Sequence, residues 1–108
     1  MLKANVTIEE IGRDLAMFLS RYIKVNQLIL YGSYCYGKPR EDSDFDIAVI
    51  SSDFKDMTVL DKIELFSNAS LAVDSRVELK GFAYNEYLNP PKGSFLELVK
   101  DKGRVIYS

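Results

Sequence analysis

The chain has 108 residues, a length that allows one domain with one core and excludes a second. The apolar fraction of 47% is typical of a folded globular protein, and the net charge of -2 disfavours extended binding along nucleic acid. Histidine is absent and Cys35 is the single cysteine, which excludes His-dependent catalysis, a zinc site and an internal disulfide. Any chemistry must therefore use carboxylates, hydroxyls, amines or a metal bound through oxygen.

The location expected from the sequence is the cytoplasm. The lone cysteine fits a reducing compartment, and the N-terminal segment MLKANVTIEEIG lacks the apolar core of a signal peptide. No apolar run approaches the length that crosses a membrane, so we expect no membrane partner.

The first half of the chain is predicted to form a helix and two strands. Residues 7–10 (TIEE) have the form of a capping box, and apolar residues at helical spacing follow over about 7–24. Residues 28–31 (LILY) are typical of a short buried strand, and 44–50 (DFDIAVI) are typical of a second strand with a polar start. Between the strands, the pattern predicts one short helical turn over 33–37 and then a polar loop.

The second half is predicted to alternate helices and strands. Asp56 or Thr58 caps a helix that runs to about residue 72, and residues 76–80 (RVELK) alternate polar and apolar, as a half-buried strand does. A second capping box, SFLE, opens a short helix that precedes a last edge strand over 105–107. The order α-β-turn-β-α-β-α-β, without repeats or an internal linker, predicts a single α/β domain over the whole chain.

One segment matches the P-loop motif in part. Residues 32–38 (GSYCYGK) match the first seven positions of G-x-x-x-x-G-K-[ST] after an apolar strand. The eighth residue should be Ser or Thr to bind magnesium, but it is Pro39, which has neither a hydroxyl nor an N–H group. A P-loop also needs a long helix directly afterwards, whereas a strand pattern begins at Asp44. The P-loop interpretation is therefore excluded.

Gly32 and Ser33 are better understood together with Asp44 and Asp46. Successive side chains on a strand alternate between faces, so the two carboxylates point the same way. Adjacent carboxylates repel each other unless a cation neutralises them, and magnesium is suited to this because it takes oxygen ligands from carboxylates and phosphates. Gly32 lets the backbone approach a phosphate, and Ser33 adds a hydroxyl. The sequence therefore predicts one site that holds a metal and a triphosphate together.

Gly32-Ser33, ten residues and then Asp44-x-Asp46 resembles the signature of the nucleotidyltransferase superfamily of DNA polymerase β type. The short interval and the small chain resemble the minimal nucleotidyltransferase (MNT) proteins, which often pair with HEPN proteins as the antitoxin half of a toxin–antitoxin system. The resemblance implies the nucleotidyltransferase fold, an α+β arrangement in which helices flank a small mixed sheet. It rests on residues 28–50, and the remainder of the chain matches by element order.

The resemblance also implies a third carboxylate on a later strand. Glu78 is favoured because it projects from the polar face of the predicted strand, whereas Asp74, the alternative, lies at or before the strand start, where a turn or cap role is commoner. Asp44 and Asp46 would bridge two magnesium ions about 3.5–4 Å apart. Glu78 would complete the metal site or act as the general base.

The phosphates of a nucleoside triphosphate, ATP or another, have implied partners in the same segment. Ser33 and the backbone at Gly32 would hold the β- and γ-phosphates. Lys38 and Arg40 would neutralise charge on the leaving pyrophosphate, with solvated loop charges as the alternative. The implied reaction is the transfer of a nucleoside monophosphate, AMP from ATP as the leading case, to a hydroxyl.

The leading acceptor is a HEPN-type partner protein. Large RNA-modifying and antibiotic-modifying members of the superfamily carry additional acceptor-binding domains, whereas only a short helix and a strand follow the predicted catalytic module here. Two alternatives stay open: an antitoxin that neutralises its partner by binding alone, and a transferase for a small molecule such as an aminoglycoside. A homo-oligomer is also compatible with the sequence.

Overall fold

Four strands form one mixed sheet in the computed structural model, which describes residues 7–32 and 45–108. The strands lie in the order β3-β2-β1-β4. β2 runs parallel to β3, whereas β1 is antiparallel to both β2 and β4. The strands are β1 (Gln27–Tyr31), β2 (Phe45–Ser51), β3 (Val77–Ala83) and β4 (Arg104–Tyr107). This arrangement confirms the predicted fold class and the edge position of the last strand.

Helices flank the sheet, and each of the three longer ones begins at a hydroxyl cap. In the described chain the α-helices are α1 (Ile8–Leu19), α2 (Val59–Val73), α3 (Tyr84–Leu88) and α4 (Phe95–Lys102), with a 3₁₀ turn at Phe54–Asp56. The hydroxyls of Thr7, Thr58 and Ser94 each accept a hydrogen bond, 3.1 Å long, from the backbone N–H three residues later. Thr58, not Asp56, is therefore the cap of α2. None of these helices is long and apolar enough to cross a membrane.

Some element limits differ from the prediction. α1 was expected to continue to about residue 24 but ends at Leu19, because the next residues close tighter bonds, such as the 2.9 Å bond from the Tyr22 N–H to the Leu19 carbonyl. β3 continues past the expected end at residue 80 through Gly81, where a Cβ would lie 2.9 Å from the rings of Phe54 and Phe66. The short helix α3 was not predicted.

The two faces of the sheet carry separate cores. Phe45, Ile47 and Val49 of β2 pack with α1 and α2, and we call their side the α1 face. Ala48 and Ile50 pack with α3 and α4, and we call their side the α4 face. Because strand side chains alternate, Asp46 projects on the α4 face.

Candidate active site

Asp46 and Glu78 stand side by side on neighbouring strands. They are register partners in the parallel pair β2–β3, where adjacent strands lie about 4.7–4.9 Å apart. Val77 and Leu79, which flank Glu78, pack on the α1 face, so Glu78 shares the α4 face with Asp46. Asp46 is half-buried and Glu78 is exposed. Two carboxylates therefore project from neighbouring positions on the same face of the sheet.

Gly32 lies directly against Asp46. Its backbone has a φ of 81°, a conformation that favours glycine. A Cβ at this position would overlap Oδ2 of Asp46 and lie 3.1 Å from its Cγ. Tyr31, the residue before the glycine, is the register partner of Asp46 on β1. The glycine of the G-S motif and the second aspartate of the D-x-D motif are thus in contact.

Asp74, the alternative third carboxylate, forms a bidentate ion pair with Arg76. The Nε and Nη2 atoms of Arg76 donate to the two carboxylate oxygens at 3.0 and 2.8 Å, and its backbone N–H donates to Oδ1 at 2.9 Å. Asp74 ends α2, and its carbonyl accepts from the Val77 N–H at 3.0 Å. These bonds order the turn that leads into β3, a positioning role for the strand that carries Glu78.

A second contact fixes the same strand start. The Ser70 hydroxyl on α2 donates to the Val77 carbonyl at 2.9 Å, and the N–H of Phe45 donates to the Arg76 carbonyl at 2.8 Å. The first residues of β2 and β3 are therefore tied to each other and to α2. This geometry sets Asp46 and Glu78 in register.

Four predicted site residues, Ser33, Lys38, Arg40 and Asp44, lie outside the described residues, as does the predicted turn over 33–37. Their roles stay predictions. Within residues 7–32 and 45–108 there is no group of three or more His, Cys, Asp or Glu side chains placed to hold a metal ion. The predicted metal ligands are Asp44, Asp46 and Glu78, and only Asp46 and Glu78 are among the described residues.

An aromatic and cationic cluster beside the two carboxylates was not predicted. The ring of Phe95, the first residue of α4, meets the Tyr31 ring at 5.4 Å between centroids and the Phe82 ring at 6.2 Å. The Nζ atom of Lys80 lies 5.2 Å from the centroid of the Phe95 ring. Alternation along β3 places Lys80 on the face of Glu78, but no sequence pattern indicated that Phe95 approaches it.

The comparison with protein families decides the assignment. The family model described as "Polymerase beta, Nucleotidyltransferase" matches residues 13–108. The chain belongs to the polymerase β-type nucleotidyltransferase family. This confirms the family expected from the G-S and D-x-D motifs. Among curated proteins, none matches this nucleotidyltransferase.

Solved structures share the fold of this nucleotidyltransferase. A candidate nucleotidyltransferase from Sulfolobus solfataricus is 20% identical with a TM-score of 0.62, covering 91% of this chain and 74% of its own. A structure described as a toxin–antitoxin with AMP-PNP is 24% identical with a TM-score of 0.62, covering 90% and 73%. The toxin–antitoxin MntA-HpeT, in a mutant with two aspartates separated by one residue changed to glutamate, is 19% identical with a TM-score of 0.58, covering 90% and 73%.

Proposed function

We propose that this nucleotidyltransferase moves AMP from ATP to a hydroxyl of a HEPN-type toxin in the cytoplasm, and so acts as the antitoxin. The observation that carries the proposal is the contact of Gly32 with Asp46 and the register of Asp46 with Glu78. Gly32 and Asp46 belong to the G-S and D-x-D pattern of the family, and Glu78 is the third carboxylate that the resemblance implies. One structural neighbour is named as a toxin–antitoxin with AMP-PNP, an ATP analogue, which supports both the donor and the kind of partner.

The residues present fit a magnesium ion. Two oxygen-donor side chains project from paired positions on one face of the sheet, and Gly32 leaves the room that the Asp46 carboxylate occupies. Hard oxygen donors of this kind suit magnesium, which is usually held by one or two carboxylates and by substrate phosphates. Asp44, Asp46 and Glu78 would hold it. When bound, magnesium supplies positive charge that stabilises the departing pyrophosphate.

The protein side chains then have distinct tasks. The acceptor hydroxyl oxygen forms a bond to the α-phosphorus, the bond from that phosphorus to its bridging oxygen breaks, and pyrophosphate leaves. Glu78 is exposed and lies beside Asp46, so its carboxylate is suited to take the hydroxyl proton. Ser33 and the backbone at Gly32 hold the β- and γ-phosphates, while Lys38 and Arg40 offset their charge.

Co-expression with the protein encoded beside this gene tests the proposal. The intact mass of the partner should increase by one or more AMP units, and Asp44→Asn should abolish the increase. Asp101→Asn is the matched control, because Asp101 is an exposed aspartate on α4 and its loss should leave the modification unchanged. A stable complex without any mass change would contradict the enzyme and support the binding antitoxin instead. Pyrophosphate release with an aminoglycoside and no partner would support the small-molecule transferase.

A further inference from the structure

The ring of Phe95 is open to solvent although its helix is packed on the sheet. Leu96 and Val99 of α4 are 5% and 0% exposed and form the contact with the core, whereas Phe95 remains 44% exposed. The buried ring of Tyr31 meets it edge-on, at an interplanar angle of 82°, and Phe82 contacts it as well. The ring is therefore supported by two aromatic side chains and still presents apolar surface outward.

The contacts of this ring place it on the face of the sheet that carries the two carboxylates. Tyr31, Asp46 and Glu78 form one row across the sheet, and Ile29, Ala48 and Lys80 form the next row on the same face. Rows on one face are two residues apart, about 6.6–6.8 Å. Phe95 contacts Tyr31 in the first row, Lys80 in the second and Phe82 in the third, so its ring lies within one or two rows of the carboxylates on the same face of the sheet.

Lys80 supplies a positive charge at the same place. It follows Glu78 by two residues on the same face of β3, and its Nζ lies 5.2 Å from the Phe95 ring centroid, a cation–π contact. A lysine on a flexible stem can leave an exposed ring at small cost, because a cation–π contact at an exposed site is weak. Its ammonium can then reach a phosphate bound at the carboxylates.

We propose that Phe95 and Lys80 form the donor-nucleotide subsite, in which the Phe95 ring stacks on the nucleobase and the Lys80 ammonium binds the triphosphate. This inference rests on the proposed transfer of AMP. Stacking on an aromatic ring accepts any base, since every base has a π-face. The subsite therefore contributes affinity for the nucleoside, and Lys80 contributes to binding of any polyphosphate.

Calorimetric titration of the full chain with ATP and with inorganic tripolyphosphate, both with magnesium, separates the two contributions. Phe95→Leu keeps the apolar packing and removes the ring, so it should weaken ATP binding about tenfold and leave tripolyphosphate binding unchanged. Lys80→Met should weaken binding of both ligands. Leu98→Ala is the matched control, since Leu98 is a 46% exposed apolar residue of the same helix. Phe95→Met repeats the test if Phe95→Leu does not fold, and Phe95→Tyr, which keeps the ring, should bind ATP as the unaltered protein does.

Equal ATP affinity of Phe95→Leu and the unaltered protein would overturn the stacking role. Unchanged tripolyphosphate binding in Lys80→Met would overturn the role of the lysine. Either result leaves the AMP transfer intact if the partner still gains mass. By contrast, absence of ATP binding by the unaltered protein would overturn both the subsite and the proposed function.

Discussion

The carboxylate of Asp46 lies against the α-carbon of Gly32, so closely that the glycine has no room for a side chain. The glycine of the G-S motif is usually considered for its freedom of backbone conformation and its approach to phosphate. Here it also leaves the space in which the second aspartate of the D-x-D motif stands. The two halves of the motif are therefore coupled sterically, in addition to any shared ligand.

Gly32→Ala should cost more stability than the backbone conformation alone explains. Gly93 is the matched control, because its φ of 79° is nearly the same while a Cβ there would meet nothing within 4 Å. We expect Gly93→Ala to lower the free energy of unfolding by about 1 kcal/mol and Gly32→Ala by about 2–3 kcal/mol. Urea denaturation measures both values.

The excess cost should depend on the Asp46 side chain. Adding Asp46→Ala to Gly32→Ala should recover most of the difference from Gly93→Ala, since it removes the two Asp46 atoms nearest to the new methyl group, Oδ2 and Cγ. Equal costs at the two glycines, or no recovery in the double variant, would contradict the steric coupling.

Glu78→Gln and Asp74→Asn should have opposite effects. Glu78 is exposed and beside Asp46, so Glu78→Gln should abolish AMP transfer and change the free energy of unfolding by less than about 0.5 kcal/mol. Asp74 holds Arg76 through a bidentate pair, so Asp74→Asn should retain most of the transfer and cost about 1 kcal/mol. Partner mass and urea denaturation give the two readouts.

The reverse pattern, transfer lost in Asp74→Asn and kept in Glu78→Gln, would move the third carboxylate to Asp74. Glu78→Asp provides a further check, because the shorter side chain keeps the carboxylate on the same face. We expect it to retain measurable transfer.

Removal of magnesium should abolish transfer without unfolding the domain. The core of the sheet is apolar and does not include the proposed metal residues. Ile47, which follows Asp46 on β2, and Val49 are both 0% exposed. A chelator should therefore stop the mass gain of the partner and leave the unfolding midpoint in urea unchanged. Returning magnesium should restore transfer. Unchanged transfer in the chelator would contradict the metal dependence, and a large fall in the midpoint would indicate a structural metal.

The sequence predicted the fold class and the family because their determinants are local. Hydroxyl caps such as Thr58 and the apolar run of β1 mark element positions within a few residues, and the G-S and D-x-D spacing lies in one short segment. The periodicity could not locate the end of α1, since Ile23 continues the apolar stripe and is buried in the turn beyond the helix. The short helix α3 has only five residues, too few for a clear pattern.

The candidate site was predictable only in part, because the pairing register of two strands cannot be read from the sequence of either strand alone. Alternation placed Asp46 and Glu78 each on a face, but their meeting depends on the parallel pairing of β2 with β3. The contact of Phe95 with Tyr31 and Lys80 depends on how α4 packs across three strands, so no local pattern contains it.

Alkaline pH should destabilise the domain through Tyr87. Burial, and secondarily the charge of Tyr84, raises the pKa of Tyr87 above its usual value of about 10. Between that value and the raised one, the unfolded chain releases the phenol proton while the folded chain retains it. The contribution of Tyr87 to stability is therefore fully present below pH 10 and is lost as pH rises through that window.

Urea midpoints measured from roughly pH 8 to pH 11 test this dependence, because that range spans the usual pKa of a phenol. Tyr87→Phe should make the fall in midpoint above pH 10 shallower, because it removes the group whose pKa differs between the folded and unfolded states. Tyr107→Phe, at an exposed position on the edge strand β4, is the control and should keep the slope of the unaltered protein. Lys100, whose Nζ donates to the Tyr87 carbonyl at 3.0 Å and lies 4.9 Å from the centroid of the Tyr87 ring, is present in all three proteins. Identical slopes in Tyr87→Phe and the unaltered protein would show that another group governs alkaline stability.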